Sequence, residues 1–340
     1  MSEDKPRKRR GAGRVTLNTV ARQAGVSAIT VSRYFNQPEQ VSPERRERIA
    51  EVVAELGYVP NLVAGGLASA RGRIVAMVIP NISGPIFANT IQGFSDTLSR
   101  HGYQLLLASS YFSAEQEESA VRAFLGWSPA ALVLTSRFHS AGTEKMIAEA
   151  DIPVVETWDY VPERAPLQIG FSHYEVGVTA ARYLHGKGYR RIAFVHNSAP
   201  GDFSAVERGD GFAATLVELG VQPQVFVPQV GSAPFEAGKQ AMQALMGHAT
   251  PPDAIFFAND NLAAGGLLAA QRGGLTCAVL GFGDYPFAEM LLPSLSTIKP
   301  PALEIGILAA TRVLQSLGVL PDAVQRLNLL DCRLIERESA

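Results

Sequence analysis

The sequence predicts an α/β protein with a small all-helical head, a short hinge segment and a large body of two lobes on parallel sheets. Three observations carry this. First, residues 1–73 hold 13 Lys/Arg against 7 Asp/Glu and the remainder 17 against 25, so a module of net charge +6 precedes a body of −8. Second, from Thr16 to Gly57 apolar residues recur at helical spacing between capping and breaking residues. Third, from Ile74 the pattern changes to continuous apolar strands separated by amphipathic helices, as in parallel sheets covered on both faces. About 260 residues of that pattern exceed one small open sheet, hence two lobes.

The elements follow in order. Thr16 caps a helix through about Ala24 that turns Leu17, Val20, Ala21 and Ala24 to one side. Gly25 permits a tight turn, and Ser27 caps a second helix to about Phe35. Pro38 breaks it. Ser42 with Pro43 opens a third helix, which carries Ile49, Val52, Val53 and Leu56 and stops at Gly57. Three short helices with a glycine turn between the first two form a helix-turn-helix. Their basic charge points to DNA. The stretch "YVPNLVAGGLASARGR" follows, in which Pro60 and Asn61 can open a short helix. Gly65 and Gly66 weaken it by about 1 kcal/mol each, so it is expected to fold only when held by something else. In the body the expected strands are IVAMVIP, YQLLLAS, AALVLT, IPVVE, RIAFVH, AIFFA and AVLGF. Helices are expected over 86–100, 113–125, 174–185, 205–219 and 261–271.

Composition narrows the function. Of 340 residues, 47% are hydrophobic and 18% charged, a globular balance. No apolar run reaches the length of a membrane span, and the basic start MSEDKPRKRRGAGR leads into no apolar leader segment. Cys277 and Cys332 form no metal-type cluster, and they suit a reducing cytoplasm. Neither a phosphate loop nor a dinucleotide fingerprint is present. The six histidines are scattered. His139 and His196 follow strands and read as loop caps rather than catalytic groups. No cofactor, metal or enzymatic activity is expected.

In open α/β sheets ligands sit beyond the carboxyl ends of the strands, so charged and aromatic residues there mark a cleft between the lobes. Arg137, Glu156, Trp158, Asp159, Asn259, Asp260 and Asp284 occupy such positions, and Arg208 lies early in the helix after RIAFVH. Two guanidiniums, Arg137 and Arg208, on opposite lobes would suit a carboxylate. Trp158 and Phe87 offer apolar faces, with core packing as the alternative. Asp260 reads as the cap of its helix.

The run TLNTVARQAGVSAITVSRYFNQPEQVSPERRERIAEVVAELGYVPNLVAGGLA resembles the DNA-binding head of the lactose/galactose repressor family. IPNISGPIFANTIQGF, HGKGYRRIAFV, RGDGFAATL, DAIFFANDNLAAG and PSLSTIKPP extend the resemblance across the body. LGWSPAALVLTSRFHS and IPVVETWD are most similar to the gluconate-operon repressor subgroup. The resemblance implies a periplasmic-binding-protein-like body and a homodimer gripping a near-palindromic DNA operator. It places Thr16, Ser27, Thr30, Ser32 and Asn36 against phosphates or the adjacent groove, and Ala28, Ile29 and Arg33 at base edges. It makes Asn61 and Leu67 DNA-binding residues of a hinge helix, Leu67 as a minor-groove wedge. Phe87, Arg137, Glu156, Trp158, Arg208, Asn259 and Asp284 become the effector site.

One departure matters. Gly283 stands where sugar-binding members often have an aspartate that grips hydroxyls, with Asp284 one residue on as a partial replacement. Beside two arginines, this favours a sugar acid of the gluconate or 2-ketogluconate type over a neutral sugar or a purine. A solute-binding receptor is the rival reading, disfavoured by the head. The expected divisions are a disordered basic tail over 1–14, the DNA-binding head over 15–59, the hinge over 60–73 and the effector-binding and dimerisation body over 74–340.

Overall fold

The computed structural model describes residues 15–60, 72–82, 84–164, 168–322 and 328–340. The tail (1–14) and the hinge positions Asn61 and Leu67 lie outside the described residues. The chain divides between Gly72 and Arg73 into two compact units.

The first unit contains α1 (Leu17–Ala24), α2 (Ala28–Asn36) and α3 (Pro43–Leu56). Thr16 and Thr19 form a reciprocal cap on α1, and Gly25 ends it in the left-handed region at φ 64°. That conformation is costly for a residue with a Cβ, so the glycine makes the turn tight. Ser27 Oγ accepts from Thr30 N at 3.1 Å to start α2. Ser42 precedes α3 without a side-chain cap, and Pro43 alone sets the first turn. Val20, Ala21, Ala24, Val31, Val41, Ile49 and Val52 make the core.

The body has two lobes. The N-terminal sheet runs β2 (Gln104–Ser109), β1 (Ile74–Ile79), β3 (Ala131–Thr135), β4 (Val154–Thr157), β5 (Gln168–Ile169), and its assigned pairings are all parallel. Its helices are α4 (Pro85–Ser99), α5 (Ala114–Leu125) and α6 (Ala141–Glu149). The chain then crosses over to α7 (His173–Gly186), β6 (Ile192–Val195), α8 (Phe203–Glu218), β7 (Gln224–Phe226), α9 (Pro234–Met246), β8 (Ala254–Phe257), α10 (Asp260–Gly273), β9 (Ala278–Phe282) and β10 (Ser296–Lys299). After Pro300 and Pro301 it returns as α11 (Ala302–Ser316), packed on α4 in the N-terminal lobe. It crosses again to β11 (Arg333–Ile335), antiparallel to β10. The C-terminal sheet reads β11-β10-β9-β8-β6-β7.

Each sheet thus places its second strand outside its first and the third on the other side. β1/β3 and β6/β8 are the two points where the winding reverses, and a crevice opens there at the strands' carboxyl ends. The expected elements include neither α6, α9 and α11 nor β5, β7, β10 and β11. α10 begins one residue earlier than expected, and its cap is Asn259 rather than Asp260.

Candidate functional site

On the head, α2 divides its side chains. Val31 is fully buried, whereas Ile29 is 66% exposed. Exposing a branched aliphatic on a helix that already owns a core leaves an apolar surface suited to a partner. Arg33 is exposed beside it. Ala28 is half-buried and leans on the head core, so it presents less surface than the sequence suggested. Ser27, Thr30 and Thr16 are engaged in caps. Asn36 Nδ2 donates to Ser32 O at 3.0 Å.

In the body, a cavity of about 100 Å³ lies between the lobes where the windings reverse. Pro80 after β1, Thr135 at the end of β3, Ser136 after it, and Trp158 after β4 face Asn197 after β6, Asn259 after β8 and Phe282 of β9. Phe87, Trp158, Arg208 and Asn259, four of the residues singled out in the sequence, line it together. Phe87 and Trp158 meet edge to face at 4.9 Å. Trp158 Nε1 donates to Thr90 Oγ1 at 3.1 Å, so only its ring is left for a ligand. Asn259 Oδ1 accepts from Leu262 N at 3.1 Å. With that oxygen on the helix cap, the amide NH2 is what remains to donate.

Arg208 dominates the electrostatics. It is buried, and its guanidinium lies 4.4 Å above the Phe282 ring. Nη1 donates to His173 Nδ1 at 2.9 Å and Nη2 to Ala258 O at 3.1 Å. Nε is buried with no partner. Burial lowers the pKa of this guanidinium, opposed by the charge of Asp202. Yet Asp202 directs its oxygens elsewhere, to Ala205 N at 3.0 Å and Asn197 Nδ2 at 2.7 Å. Among the described residues no carboxylate pairs with Arg208. A buried cation without a counter-ion is costly, and an anionic guest would relieve it.

Three sequence candidates stand elsewhere. Arg137 is beside the cleft but spent on ion pairs, with Nη1 at 2.6 Å from Asp159 Oδ1 and 3.2 Å from Glu207 Oε2. Glu156 is fully buried within the N-terminal lobe. It accepts from Gln168 Nε2 at 2.8 Å and pairs with Arg164 and His139, because its position on β4 turns it away from the cavity into that network. Asp284 is held by Arg337 Nη2 at 2.7 Å and Lys299 Nζ at 2.9 Å. Burial raises its pKa, but these cations outweigh it and leave the carboxyl below its usual value. Each of its oxygens is thus engaged by a cation. The space at Gly283 is taken by Tyr285, whose Cε1 lies 2.4 Å from where a Cβ at 283 would be.

Sequence reasoning missed Asn197, Asp202, His173, Phe282 and Tyr285 in the lining. Asn197 follows a strand and Asp202 caps α8, so both carried the same signals as Asn259 and Arg208. His173 and Tyr285 gave none, since each reaches the cavity only through the packing of its element. Among the described residues no cluster suits a metal ion and no helix is long and apolar enough to cross a membrane.

Comparison with known proteins agrees with both units. Residues 16–61 match the family described as bacterial regulatory proteins, lacI family, and residues 181–340 match a periplasmic binding protein-like domain. The chain is 34% identical over 312 residues to the HTH-type transcriptional regulator GntR of Pseudomonas aeruginosa, covering 90% of each chain. Its fold is similar to that of a lacI-family transcriptional regulator from Silicibacter pomeroyi (TM-score 0.87, 31% identity, 96% of this chain and 99% of the other). It is also similar to the lac repressor dimer bound to operator and the anti-inducer ONPF (TM-score 0.81, 26% identity, 96% and 99%). A helix-turn-helix head on a two-lobed parallel-sheet body, matched along nine-tenths of a curated relative, makes this chain a member of the lacI family of bacterial transcriptional repressors.

Proposed function

We propose that this repressor binds a near-palindromic operator as a homodimer and that a small sugar acid, of the gluconate or 2-ketogluconate type, sets its affinity from the interlobe cavity. The observation that carries the effector class is the buried Arg208 guanidinium, whose Nε has no partner and which pairs with no carboxylate among the described residues. A ligand carboxylate supplies that charge, and Asn197, Asn259 and Ser136 offer polar groups for hydroxyls. A neutral sugar would miss the gripping carboxylate at 283, where Tyr285 fills the space. A purine would miss a stacking slot, because Phe87 and Trp158 stand at 67° to each other.

On the head, Ile29 and Arg33 read base edges in the major groove, a thymine methyl and a guanine respectively. Thr16, Ser27, Thr30, Ser32 and Asn36 hold the backbone, and Ala28 adds a small apolar contact. The linker from Pro60 to Arg73 acts as the hinge, with Asn61 and Leu67 at the minor groove. The second copy is assigned to the face of the C-terminal lobe where a groove of about 430 Å³ runs between α9 and α10, lined by Phe235, Leu268 and Leu275. Met290 and Leu292, both strongly exposed, add apolar surface to that lobe. Effector binding shifts the lobes only as far as it distinguishes their two arrangements. We assign the acid as an inducer that releases DNA.

The test is a calorimetric titration of the full chain with gluconate, 2-ketogluconate, 6-phosphogluconate and glucose. Saturable binding of one acid but not glucose, lost in Arg208→Met, is the expected result. Binding of glucose alone, or of an acid unaffected by Arg208→Met, would overturn the assignment.

A further inference from the structure

We infer that His173 is the positioning residue of the cavity: it aims the Arg208 guanidinium at the ligand and ties that guanidinium to Trp158 on the opposite lobe. The inference rests on the reading that the cavity takes an anion.

His173 is the first residue of α7, just after Ser172, whose Oγ caps the helix by accepting from Glu175 N at 3.2 Å. The chain has by then crossed from the N-terminal lobe, so the imidazole sits at the crossover, buried, with the Phe171 ring edge-on at 4.6 Å. Its two nitrogens face different lobes. Nδ1 is 2.9 Å from Arg208 Nη1 and Nε2 is 2.8 Å from Trp158 O. A guanidinium only donates and a carbonyl oxygen only accepts. Nδ1 must therefore carry a lone pair and Nε2 the proton, and the two partners fix a single neutral tautomer. Burial and the Arg208 charge both hold the imidazole well below its usual pKa, which agrees with that assignment.

The consequence for Arg208 is geometric. Its Nη1 is tied to His173, its Nη2 to Ala258 O, and its face to the Phe282 ring. A planar fork held at both terminal nitrogens and on one face has little freedom left, so the Nε edge is pre-oriented rather than free to search. The line also continues beyond His173. Trp158, itself at φ 67°, donates from its indole to Thr90 on α4, and Thr90 Oγ1 donates to Ala302 O at the start of α11 at 2.7 Å. His173 is thus the link by which a change at the Arg208 guanidinium reaches two helices of the other lobe.

Two near-isosteric substitutions separate positioning from filling. In His173→Asn the amide oxygen reaches the place of Nδ1 and can still accept from Arg208, but nothing replaces Nε2. In His173→Gln the amide reaches the place of Nε2 and the acceptor for Arg208 is lost. Titrating the full-length variants with D-gluconate should show Asn within about threefold of the parent and Gln at least about tenfold weaker, since a buried charged donor is then left unsatisfied. Equal losses in the two variants would overturn the inference. A second measurement needs no ligand. The imidazole ¹⁵N spectrum of the unliganded chain, assigned through its loss in His173→Asn, should show the Nε2–H tautomer at neutral pH. In Arg208→Met the Nδ1 resonance should move. An Nδ1–H tautomer, an imidazolium, or an Nδ1 shift indifferent to Arg208→Met would each sink the proposal. Failure of the parent protein to bind D-gluconate would instead count against the sugar acid, and the spectrum would still decide on His173.

Discussion

Arg137 and Glu207 join the two lobes across the cleft: the guanidinium at the end of β3 donates from Nη1 to Oε2 of the α8 carboxylate at 3.2 Å, and from Nη2 to Oε1. Asp159 holds the same guanidinium from the N-terminal side at 2.6 and 2.7 Å. One cation therefore serves two acids on two lobes. Phe138 and Phe203, 5.1 Å apart, continue the seam beside it.

Glu207→Gln should loosen this seam without unfolding either lobe. The pair is partly solvated, so the loss is expected on the order of 1 kcal/mol. Amide exchange should speed up in residues 136–138 and 201–207 and remain unchanged in β1 and β8. Unchanged exchange at the seam would mean that other contacts hold the lobes together.

His139 predicts a pH dependence. Its imidazole is buried between Glu117, at 2.7 Å, and Glu156, at 3.6 Å. Burial opposes its charge, but the hydrogen bond to Glu117 and the negative charge of both carboxylates prevail and push its pKa up to about 9. Because the folded value exceeds the unfolded one, the stability it contributes is fully present below about pH 6.5 and is lost as pH rises through about 9. Glu156 behaves in the opposite sense. Burial raises its pKa, but His139, Arg164 and Gln168 together bring it to about 2, so its contribution is present above about 4.5 and is lost as pH falls through about 2. Thermal midpoints recorded from pH 6 to 10 should fall through the upper range. His139→Gln should start lower and fall less. A parallel curve for the variant would refute the assignment.

Gly177 positions Arg208 from beneath. A Cβ there would meet Arg208 O at 2.1 Å and Phe212 N at 2.5 Å, so α7 and α8 touch only because this residue has no side chain. Gly177→Ala should cost about 1–3 kcal/mol by overpacking and weaken acid binding by displacing the backbone of Arg208. Gly186→Ala, on the same helix with nothing within 4 Å, is the control and should be neutral or stabilising. Equal melting temperatures for the two variants would contradict the close approach.

On the head, Val31→Ala and Ile29→Ala should separate folding from recognition. Val31 is buried and its truncation should cost about 2 kcal/mol. Ile29 is exposed, and its loss should change stability by less than about 0.5 kcal/mol. Yet Ile29→Ala should weaken binding to a duplex selected from a random pool by about five- to a hundredfold, the range of a lost base contact. Measured binding at fixed salt is the readout. Full affinity in Ile29→Ala would move the recognition surface elsewhere.

Local signals along the chain set the head and most of the central strands. Caps at Thr16 and Ser27, the glycine turn at Gly25 and the apolar strands are local signals, dictated by backbone sterics and by periodicity, and they survive into the structure. Phe87, Trp158, Arg208 and Asn259 were legible because they flank strand ends where an open α/β sheet opens its crevice. Which charges stay unpaired depends on packing. Arg137, Glu156 and Asp284 occupy equally promising positions in the sequence, but partners between 8 and 70 residues away neutralise them. The same packing brings His173 to Arg208 across 35 residues and lets Tyr285 occupy the space above Gly283. A charge's partner depends on three-dimensional distance rather than spacing along the chain, so pattern fixes where a polar residue stands but not whether it remains available to a ligand.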